Sequence, residues 1–207
     1  MDTTPDLDAY FARLGYDGPR RPDLEVLSDL HRLHPAAIPF ENLDPLLGRT
    51  PKLDLASIQA KLVTAGRGGY CFEQNGLFKP ALEALGFAVT PLMARVLWGL
   101  PEDAAPLPRT HMILRVDLAE GSYIADVGFG GLVMSAPLRL EAGPVQQTPH
   151  GPYRLMDEPD GYRLEARLEA DDWRPLYRFT LEPHFQADYD MANWFTAPTP
   201  VRSSPSS

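Results

Sequence analysis

The sequence predicts an α+β protein, in which a helical N-terminal part is followed by a part that is mostly β. Apolar residues recur at helical intervals up to about residue 88. Beyond that point the pattern changes to short strands separated by turns. Of the 207 residues, 44% are hydrophobic and 23% are charged, which is close to the globular averages and predicts a folded core.

Three helices are predicted before the single cysteine. The first has apolar residues at i, i+3, i+4 and i+7 and ends at a glycine, the residues being Leu7, Tyr10, Phe11, Leu14 and Gly15. The second is expected to begin at Pro22, where a first-turn proline is favoured, and to extend little beyond Pro35. The third is expected to be capped by Asp54 and ended by Gly66. Residues 38–43 read as a loop.

A fourth helix is predicted after the cysteine. Its apolar side carries Leu77, Phe78, Ala81, Leu82 and Leu85, and Gly86 is its stop. Pro80 lies inside this pattern, and a proline in a helix removes one backbone hydrogen bond. We therefore expect a kink, or a helix that restarts near Lys79.

The second half of the chain is predicted to contain short strands over residues 89–97, 110–118, 122–127, 153–156, 162–168 and 173–180. Residues 157–161 form a turn cluster, which predicts a hairpin between the strands on either side of it. These patterns divide the chain into a helical domain (1–88), a β domain (89–195) and a flexible tail (196–207).

The charge and cysteine content exclude several classes of protein. The 19 basic and 28 acidic residues give a formal net charge of −9, which opposes the phosphate neutralisation that nucleic-acid binding requires. One cysteine allows neither an intrachain disulfide nor a cysteine-rich zinc site. The sequence shows no signal peptide and no apolar run of membrane-spanning length. We expect a cytoplasmic protein that binds no nucleic acid and no membrane.

Cys71 is a candidate nucleophile. It follows the Gly68-Gly69 turn and lies at the predicted start of the fourth helix. Free N–H groups and the helix dipole favour an anion there, so the thiolate is favoured over the thiol. A buried structural cysteine is the alternative interpretation.

His111 and Asp126 are predicted to lie on the same face of a β-hairpin. If Leu118 pairs with Gly121, position 113 faces Asp126, and His111 lies diagonally from that carboxylate. A turn one residue longer would reverse the faces. With Cys71, the pair predicts a nucleophile, a general base and a residue that orients the base.

Two other motifs are weaker. The glycine-rich segment 126–131 allows a ligand to approach the backbone closely, but no Walker or dinucleotide fingerprint accompanies it, so an ordinary loop is the alternative. His31 and His34 are spaced i, i+3 without a zincin glutamate, so we expect no metal site.

The segments 39–43, 67–75, 109–112, 125–131, 148–151 and 192–195 together resemble, in the same order, the signature segments of the arylamine N-acetyltransferases. The resemblance runs from about residue 5 to residue 197. It implies a catalytic triad of Cys71, His111 and Asp126 in a cysteine-protease-like arrangement. It also implies that the β domain is antiparallel and barrel-like. By the same resemblance, Arg67, Phe40 and Phe129 support the site or contact the substrate, and the residues near coenzyme A are Thr110, Gly128, Phe129, Gly130 and Gly131.

The resemblance implies acetyl-CoA as cosubstrate, no permanently bound cofactor, and an arylamine, hydrazine or hydroxylamine as acceptor. Two alternatives stay open, namely an amide synthase acting on a polyketide-type thioester and a non-catalytic relative. Members of the family continue into a C-terminal α/β lid, whereas this sequence ends at Ser207. A protein without the lid and a fragment of a longer chain are both compatible with that difference.

Overall fold

The computed structural model describes residues 4–101, 103–169 and 172–197. Before the first strand the chain forms helices α1 (Leu7–Leu14), α2 (Leu24–Ala37), α3 (Leu43–Leu46), α4 (Leu55–Gln59), a π-helical turn (Ala60–Thr64) and α5 (Cys71–Ala84). None of the helices in these ranges is long and apolar enough to cross a membrane.

Aspartates cap three of these helices at the N-terminus. The side chains of Asp6, Asp23 and Asp54 each accept a hydrogen bond from the backbone N–H three residues later, as expected for this residue type. The predicted start of α2 was wrong, whereas its end, two residues beyond Pro35, agrees with the prediction. The helix begins after Asp23 rather than at Pro22, and it continues through Pro35 to Ala37. The bond from the Ile38 N–H to the His34 carbonyl, 2.8 Å long, keeps its last turn closed.

Helix α5 runs without a break through Pro80, so the predicted restart near Lys79 was wrong. The proline removes one bond of the helical ladder. Leu77, Phe78, Ala81 and Leu82, on either side of it, are fully buried, and this packing maintains the helix. It ends as predicted near Gly86, whose φ of +92° suits glycine.

Eight strands form one antiparallel sheet in the order β4-β3-β2-β1-β8-β7-β6-β5. They are β1 (Ala88–Val96), β2 (His111–Leu118), β3 (Gly121–Ala125), β4 (Leu138–Arg139), β5 (Val145–Thr148), β6 (Gly151–Glu158), β7 (Gly161–Glu169) and β8 (Asp172–Phe179). The pairing of Glu158 with Gly161 confirms the predicted β6–β7 hairpin. Strands β4 and β5 were not predicted.

The sheet curls until its two edge strands meet, which confirms the barrel-like arrangement. The side-chain amide of Gln146 on β5 accepts a hydrogen bond from the Arg139 N–H of β4 at 2.7 Å. It also donates a hydrogen bond to the Arg139 carbonyl at 2.9 Å. These two side-chain bonds take the place of a backbone ladder across the gap.

The sheet separates two apolar cores. One lies between the helices and the outer face of β1–β3, and its sheet residues include Met93, Met112, Leu114 and Val116. The other fills the barrel and includes Leu92, Ile113, Ile124, Leu155 and Leu176. Strands β1–β3 are therefore buried on both faces, and His111 and Asp126 sit at the end of an interior face.

A sixth helix, α6 (Gln186–Thr196), was not predicted. Its buried residues, Tyr189, Ala192 and Asn193, have helical spacing. The Asn193 amide donates to the Pro51 carbonyl at 2.8 Å and accepts from the Tyr70 hydroxyl, so α6 is anchored beside the start of α5. Thr196, assigned above to the tail, ends this helix, and residues 198–207 of that tail lie outside the described residues.

Candidate active site

Cys71 is the first residue of α5, as predicted, and it is 7% exposed. The Glu73 carboxylate accepts from the Tyr70 N–H at 3.1 Å, which secures the beginning of the helix. The thiol donates to the carbonyl of Thr110, with 3.7 Å between sulfur and oxygen. Cys71 therefore lies between a helix N-terminus, which favours an anion, and the residue that precedes β2.

The turn before Cys71 fits closely against the loop at Pro39. The Gly69 N–H donates to the Pro39 carbonyl at 3.2 Å, and the Glu41 N–H donates to the Gly69 carbonyl at 3.0 Å. A Cβ on Gly68 would lie 2.1 Å from the Pro39 oxygen, so no side chain fits there without a shift of the backbone. The glycine pair thus permits the contact that fixes the start of α5.

His111 and Asp126 form the second part of the site. The pairing of Leu118 with Gly121 confirms the predicted hairpin register. His111 Nε2 and Asp126 Oδ2 are 2.7 Å apart, and the His111 ring also interacts with the Cys71 side chain. The three predicted catalytic side chains are therefore in one connected chain of contacts.

The electrostatics favour a charged His111. Burial acts to lower its pKa, but the Asp126 carboxylate and Cys71 outweigh that effect and raise the pKa to about 10. Burial acts to raise the pKa of Asp126. Interactions with His111, Asn75 and the Gly128 N–H outweigh that effect and hold the pKa of this carboxyl below its ordinary value. At neutral pH an imidazolium therefore lies beside Cys71.

Asp126 is held by residues that the sequence analysis did not assign to the site. The Asn75 amide donates to Asp126 Oδ1 at 3.0 Å and to the Met112 carbonyl at 2.8 Å. The Asp126 N–H donates to His31 Nε2 at 3.0 Å. Asn75 is one helical turn after Cys71, so the i, i+4 spacing was the signal that could have placed it in the candidate site.

A second buried network supports the loop in front of Cys71. The Tyr10 hydroxyl donates to His34 Nδ1, and His34 Nε2 donates to Gln74 Oε1, each at 2.7 Å. The Gln74 amide nitrogen donates to the carbonyls of Ile38, Pro39 and Gly69 at 3.0 to 3.2 Å. Burial lowers the pKa of His34 to about 3 and that of His31 to about 4, so both rings are neutral at neutral pH.

No group of three or more metal-ligating side chains occurs in the part of the chain that the structure describes. His31 contacts Asp126 whereas His34 contacts Tyr10 and Gln74. These two histidines, considered above as a metal pair, therefore have separate structural roles.

The glycine-rich segment lies against the start of α5. A Cβ on Gly128 would be 2.8 Å from the Cys71 Cα, so only glycine fits. Its N–H donates to Asp126 at 2.9 Å and is not available to a phosphate oxygen. The Phe129 ring contacts the His111 ring with centroids 5.1 Å apart. Gly131 is exposed.

Phe40 and Arg67 are the other residues suggested for substrate contact or support. Phe40 lies on the loop between α2 and α3, and Arg67 lies on the loop before α5. Phe40 is 48% exposed and faces Gly130. The Arg67 guanidinium pairs with Glu41 at 2.6 Å and with Asp44 at 3.2 Å. Arg67 therefore ties loops together and is not a free cation for an anionic substrate.

A cleft of about 600 Å³ lies beside Thr110, the hydrogen-bond partner of Cys71. Its walls combine apolar side chains with basic and acidic ones, and they include Met93, Arg95, Arg109, Thr110, Glu182, His184, Asp188 and Phe195. A volume of this order suits a small organic ligand.

The profile of the N-acetyltransferase family matches residues 23–204. The arylamine N-acetyltransferase of Mycolicibacterium smegmatis is 49% identical over 200 residues, which are 94% of this chain and 72% of the relative. This chain belongs to the arylamine N-acetyltransferase family. A family member from Salmonella typhimurium, described as an arylamine N-acetyltransferase and N-hydroxyarylamine O-acetyltransferase, is 48% identical over 94% of this chain and 68% of its own.

The fold agrees with solved structures of the family. The arylamine N-acetyltransferase of Mycobacterium marinum in complex with CoA superposes with a TM-score of 0.91 at 45% identity, over 95% of this chain and 73% of that one. The resemblance drawn from the motifs is therefore confirmed for the family and for the α+β fold.

Proposed function

We propose that this protein transfers the acetyl group of acetyl-CoA to the nitrogen of an arylamine or hydrazine, through an acetyl-Cys71 intermediate. The observation that carries the proposal is the connected arrangement of Cys71 at a helix N-terminus, His111 beside it and Asp126 2.7 Å from His111. The family membership and the CoA complex of the Mycobacterium marinum relative support acetyl-CoA as the donor.

In the first half-reaction, the Cys71 thiolate attacks the carbonyl carbon of the thioester. The N–H groups of Glu73 and Gln74 already donate to the Tyr70 carbonyl, so we assign the stabilisation of the oxyanion to the N–H groups of Cys71 and Phe72. The bond from carbon to the sulfur of CoA then breaks. His111 gives its proton to the departing thiolate, and acetyl-Cys71 and neutral His111 remain.

In the second half-reaction, the amine nitrogen attacks the acetyl carbon of acetyl-Cys71. Neutral His111 accepts a proton from that nitrogen, and the bond from carbon to Cys71 Sγ breaks. The products are the N-acetylated amine and the thiolate–imidazolium pair with which the cycle began. Asp126 keeps the imidazole oriented throughout and stabilises its charged form.

Steady-state kinetics with acetyl-CoA and a neutral arylamine such as 4-anisidine test this proposal. We expect the N-acetylated amine as product and parallel reciprocal plots, the pattern of a ping-pong reaction. Cys71→Ala is expected to be inactive and to remain folded, because Ala is small and apolar at a buried position. Cys71→Ser is expected to fail as well, because an alcohol is a much weaker acid than a thiol. Substantial turnover by Cys71→Ala would contradict the mechanism.

A further inference from the structure

The ladder between β2 and β3 ends one residue before Asp126. Its last pair is Leu114 with Ala125, and no strand in the described ranges pairs with residues 126 and 127. Both of these residues are buried. A buried backbone N–H that finds no partner costs the free energy of its desolvation. The segment that carries the Asp126 carboxylate therefore depends on hydrogen bonds from outside the sheet.

Side chains from two helices take the place of the ladder. The Asn75 amide on α5 donates to the Met112 carbonyl at 2.8 Å and accepts from the Val127 N–H at 3.2 Å. The N–H between those two contacts, that of Asp126, donates to Nε2 of His31 on α2 at 3.0 Å. Asn75 also reaches the Asp126 carboxylate, whereas the hydrogen bond of His31 is made to the backbone. Helices α2 and α5 together thus hold the end of β3.

The His31 ring is oriented for this one bond. It is fully buried and packs edge-on against the Phe78 ring, with centroids 6.0 Å apart. Its Nδ1 is buried and makes no hydrogen bond with any residue that the structure describes. Because the Asp126 N–H is the donor, Nε2 is unprotonated and the proton of the neutral ring is on Nδ1. Burial lowers the pKa of His31 to about 4, which keeps Nε2 an acceptor at neutral pH.

We propose that His31 is a positioning residue for acetyl transfer, which fixes the backbone of Asp126 and thereby the direction in which its carboxylate meets His111. This inference rests on the proposed function and extends the group of residues that serve it to α2. The carboxylate is 2.7 Å from His111 Nε2, and a hydrogen bond weakens steeply when its angle is lost. Side chains in an active site keep such geometry only when a further layer of hydrogen bonds supports them.

Loss of the His31 acceptor should displace the carboxylate only in part. The Asp126 N–H would be left unpaired, so its peptide group would turn toward another acceptor and the side chain on the same residue would turn with it. Asn75 and the Gly128 N–H still hold Oδ1 of the carboxylate, which limits the movement. We therefore expect a smaller loss of activity than in Asp126→Asn.

Two substitutions of His31 separate the hydrogen bond from packing. His31→Leu fills the buried space without an acceptor, whereas His31→Gln keeps an oxygen acceptor at about the reach of Nε2. Leu14→Ala, a change on α1 in the core between the helices and the sheet, is the control for a loss of stability. With acetyl-CoA and 4-anisidine, His31→Leu should lower kcat/KM about 10-fold. His31→Gln should recover most of that loss, and Leu14→Ala should lower Tm without lowering kcat/KM.

NMR of the protein labelled with ¹⁵N in its histidines measures the same contact without turnover. In the wild type we expect the His31 proton on Nδ1. Burial lowers the pKa of His111 and the Asp126 carboxylate raises it, with a result of about 10. Displacement of the carboxylate in His31→Leu should therefore move the His111 titration to lower pH, by about one unit. His31→Gln and Leu14→Ala should leave that titration in place.

A His31 proton found on Nε2 would overturn the proposal, because that nitrogen could not then accept the Asp126 N–H. Equal losses of kcat/KM in His31→Leu and His31→Gln would also overturn it, as would an unchanged His111 titration in His31→Leu. If His31→Leu does not fold, His31→Asn replaces it, since its amide is one carbon shorter and does not reach the Asp126 N–H.

The NMR result separates this inference from the proposed function. A shifted His111 titration in His31→Leu would support the coupling of His31 to His111 even if no amine is acetylated. Acetylation of 4-anisidine that is equally fast in the wild type and in His31→Leu would refute the inference and leave the proposed function standing.

Discussion

Replacing Gly128 with Ala tests how closely the glycine-rich segment must approach Cys71. The added Cβ would lie 2.8 Å from the Cys71 Cα, 3.0 Å from Asn75 Nδ2 and 3.2 Å from the Cys71 carbonyl oxygen. Contacts between carbon atoms are favourable only from about 3.5 Å. The segment and the first turn of α5 must therefore separate by about 0.7 Å. The nearest atom belongs to the Cys71 backbone, which cannot move aside as easily as the end of a flexible side chain.

This displacement should affect catalysis more than stability. Overpacking of a buried contact lowers the free energy of unfolding by about 1 to 3 kcal/mol. For a chain of this size, each kcal/mol lowers Tm by roughly 2 to 4 °C. A misplacement approaching 1 Å in an active site costs on the order of 100-fold in rate. Because the shift falls between Cys71 and the segment that carries Asp126, we expect kcat/KM to fall about 100-fold.

Gly131→Ala is the matched control for this prediction. It lies three residues further along the same segment, and a Cβ there meets nothing within 4 Å. The measurements are kcat/KM for acetyl transfer from acetyl-CoA to 4-anisidine and Tm by calorimetry. Because the resemblance places Gly131 near coenzyme A, Gly131→Ala serves as a control for stability, and it should keep the wild-type Tm. If Gly128→Ala is as active as the wild type, the close packing of Gly128 against Cys71 has no catalytic role and the reasoning is wrong.

Three further predictions follow from the buried networks. Asp126→Asn removes the charge that stabilises the His111 imidazolium. In a serine-type triad the corresponding change lowers kcat about ten-thousandfold, and we expect a loss of acetyl transfer in the same direction here. The pH profile of Cys71 alkylation by iodoacetamide should also change. Gln74→Met leaves three carbonyls and an imidazole without their partner and should lower the free energy of unfolding in urea by about 3 kcal/mol or more. His31 and His34, whose pKa values are lowered to about 4 and about 3, are neutral in the fold. Between about pH 6.5 and pH 4, these rings are therefore protonated in the unfolded chain and not in the folded chain. The free energy of unfolding should fall as the pH decreases through this range, by about 1.4 kcal/mol per pH unit for each ring.

Each of these predictions has a result that would contradict it. An unchanged alkylation profile in Asp126→Asn would show that the carboxylate does not act through the imidazole. Gln147→Met, at an exposed position, should leave the urea midpoint nearly unchanged, and equal midpoints in the two glutamine variants would refute the role of Gln74. An acid slope that is the same in His34→Gln as in the wild type would exclude His34 as its origin.

The parts of the fold that local signals determine could be predicted from the sequence. Asp54 and Gly15 mark helix ends because capping and positive φ depend on a few neighbouring residues. The β2–β3 register followed from the length of one turn, and that register brought His111 and Asp126 together. The start of α5 followed from the glycine pair before Cys71.

The rest depends on contacts between distant segments. Strand β4 has only two residues and pairs with β3 through a long connection. Helix α6 carries a short apolar side that is stabilised by Asn193 reaching Pro51. The continuation of α5 through Pro80 depends on how its buried neighbours pack. In each case tertiary packing outweighs the local pattern.

The same limit applies to the site. A lone cysteine and a histidine 40 residues apart indicate a pair of catalytic residues only when their segments are known to meet. Local sequence gave no signal that His31, on α2, would accept the Asp126 N–H, because 95 residues separate them.

The central claim is that Cys71 carries the acetyl group between donor and acceptor. Its most direct test is intact-mass spectrometry of the protein mixed with acetyl-CoA, with and without 4-anisidine, together with peptide mapping of the adduct. We expect acetyl-CoA to add the mass of one acetyl group, and peptide mapping to locate that group on Cys71. Addition of the amine should remove the adduct promptly and form the N-acetyl product. Cys71→Ser should show no adduct. N-acetylated amine formed while no adduct ever accumulates or maps to Cys71, or formed equally well by Cys71→Ser, would contradict the claim.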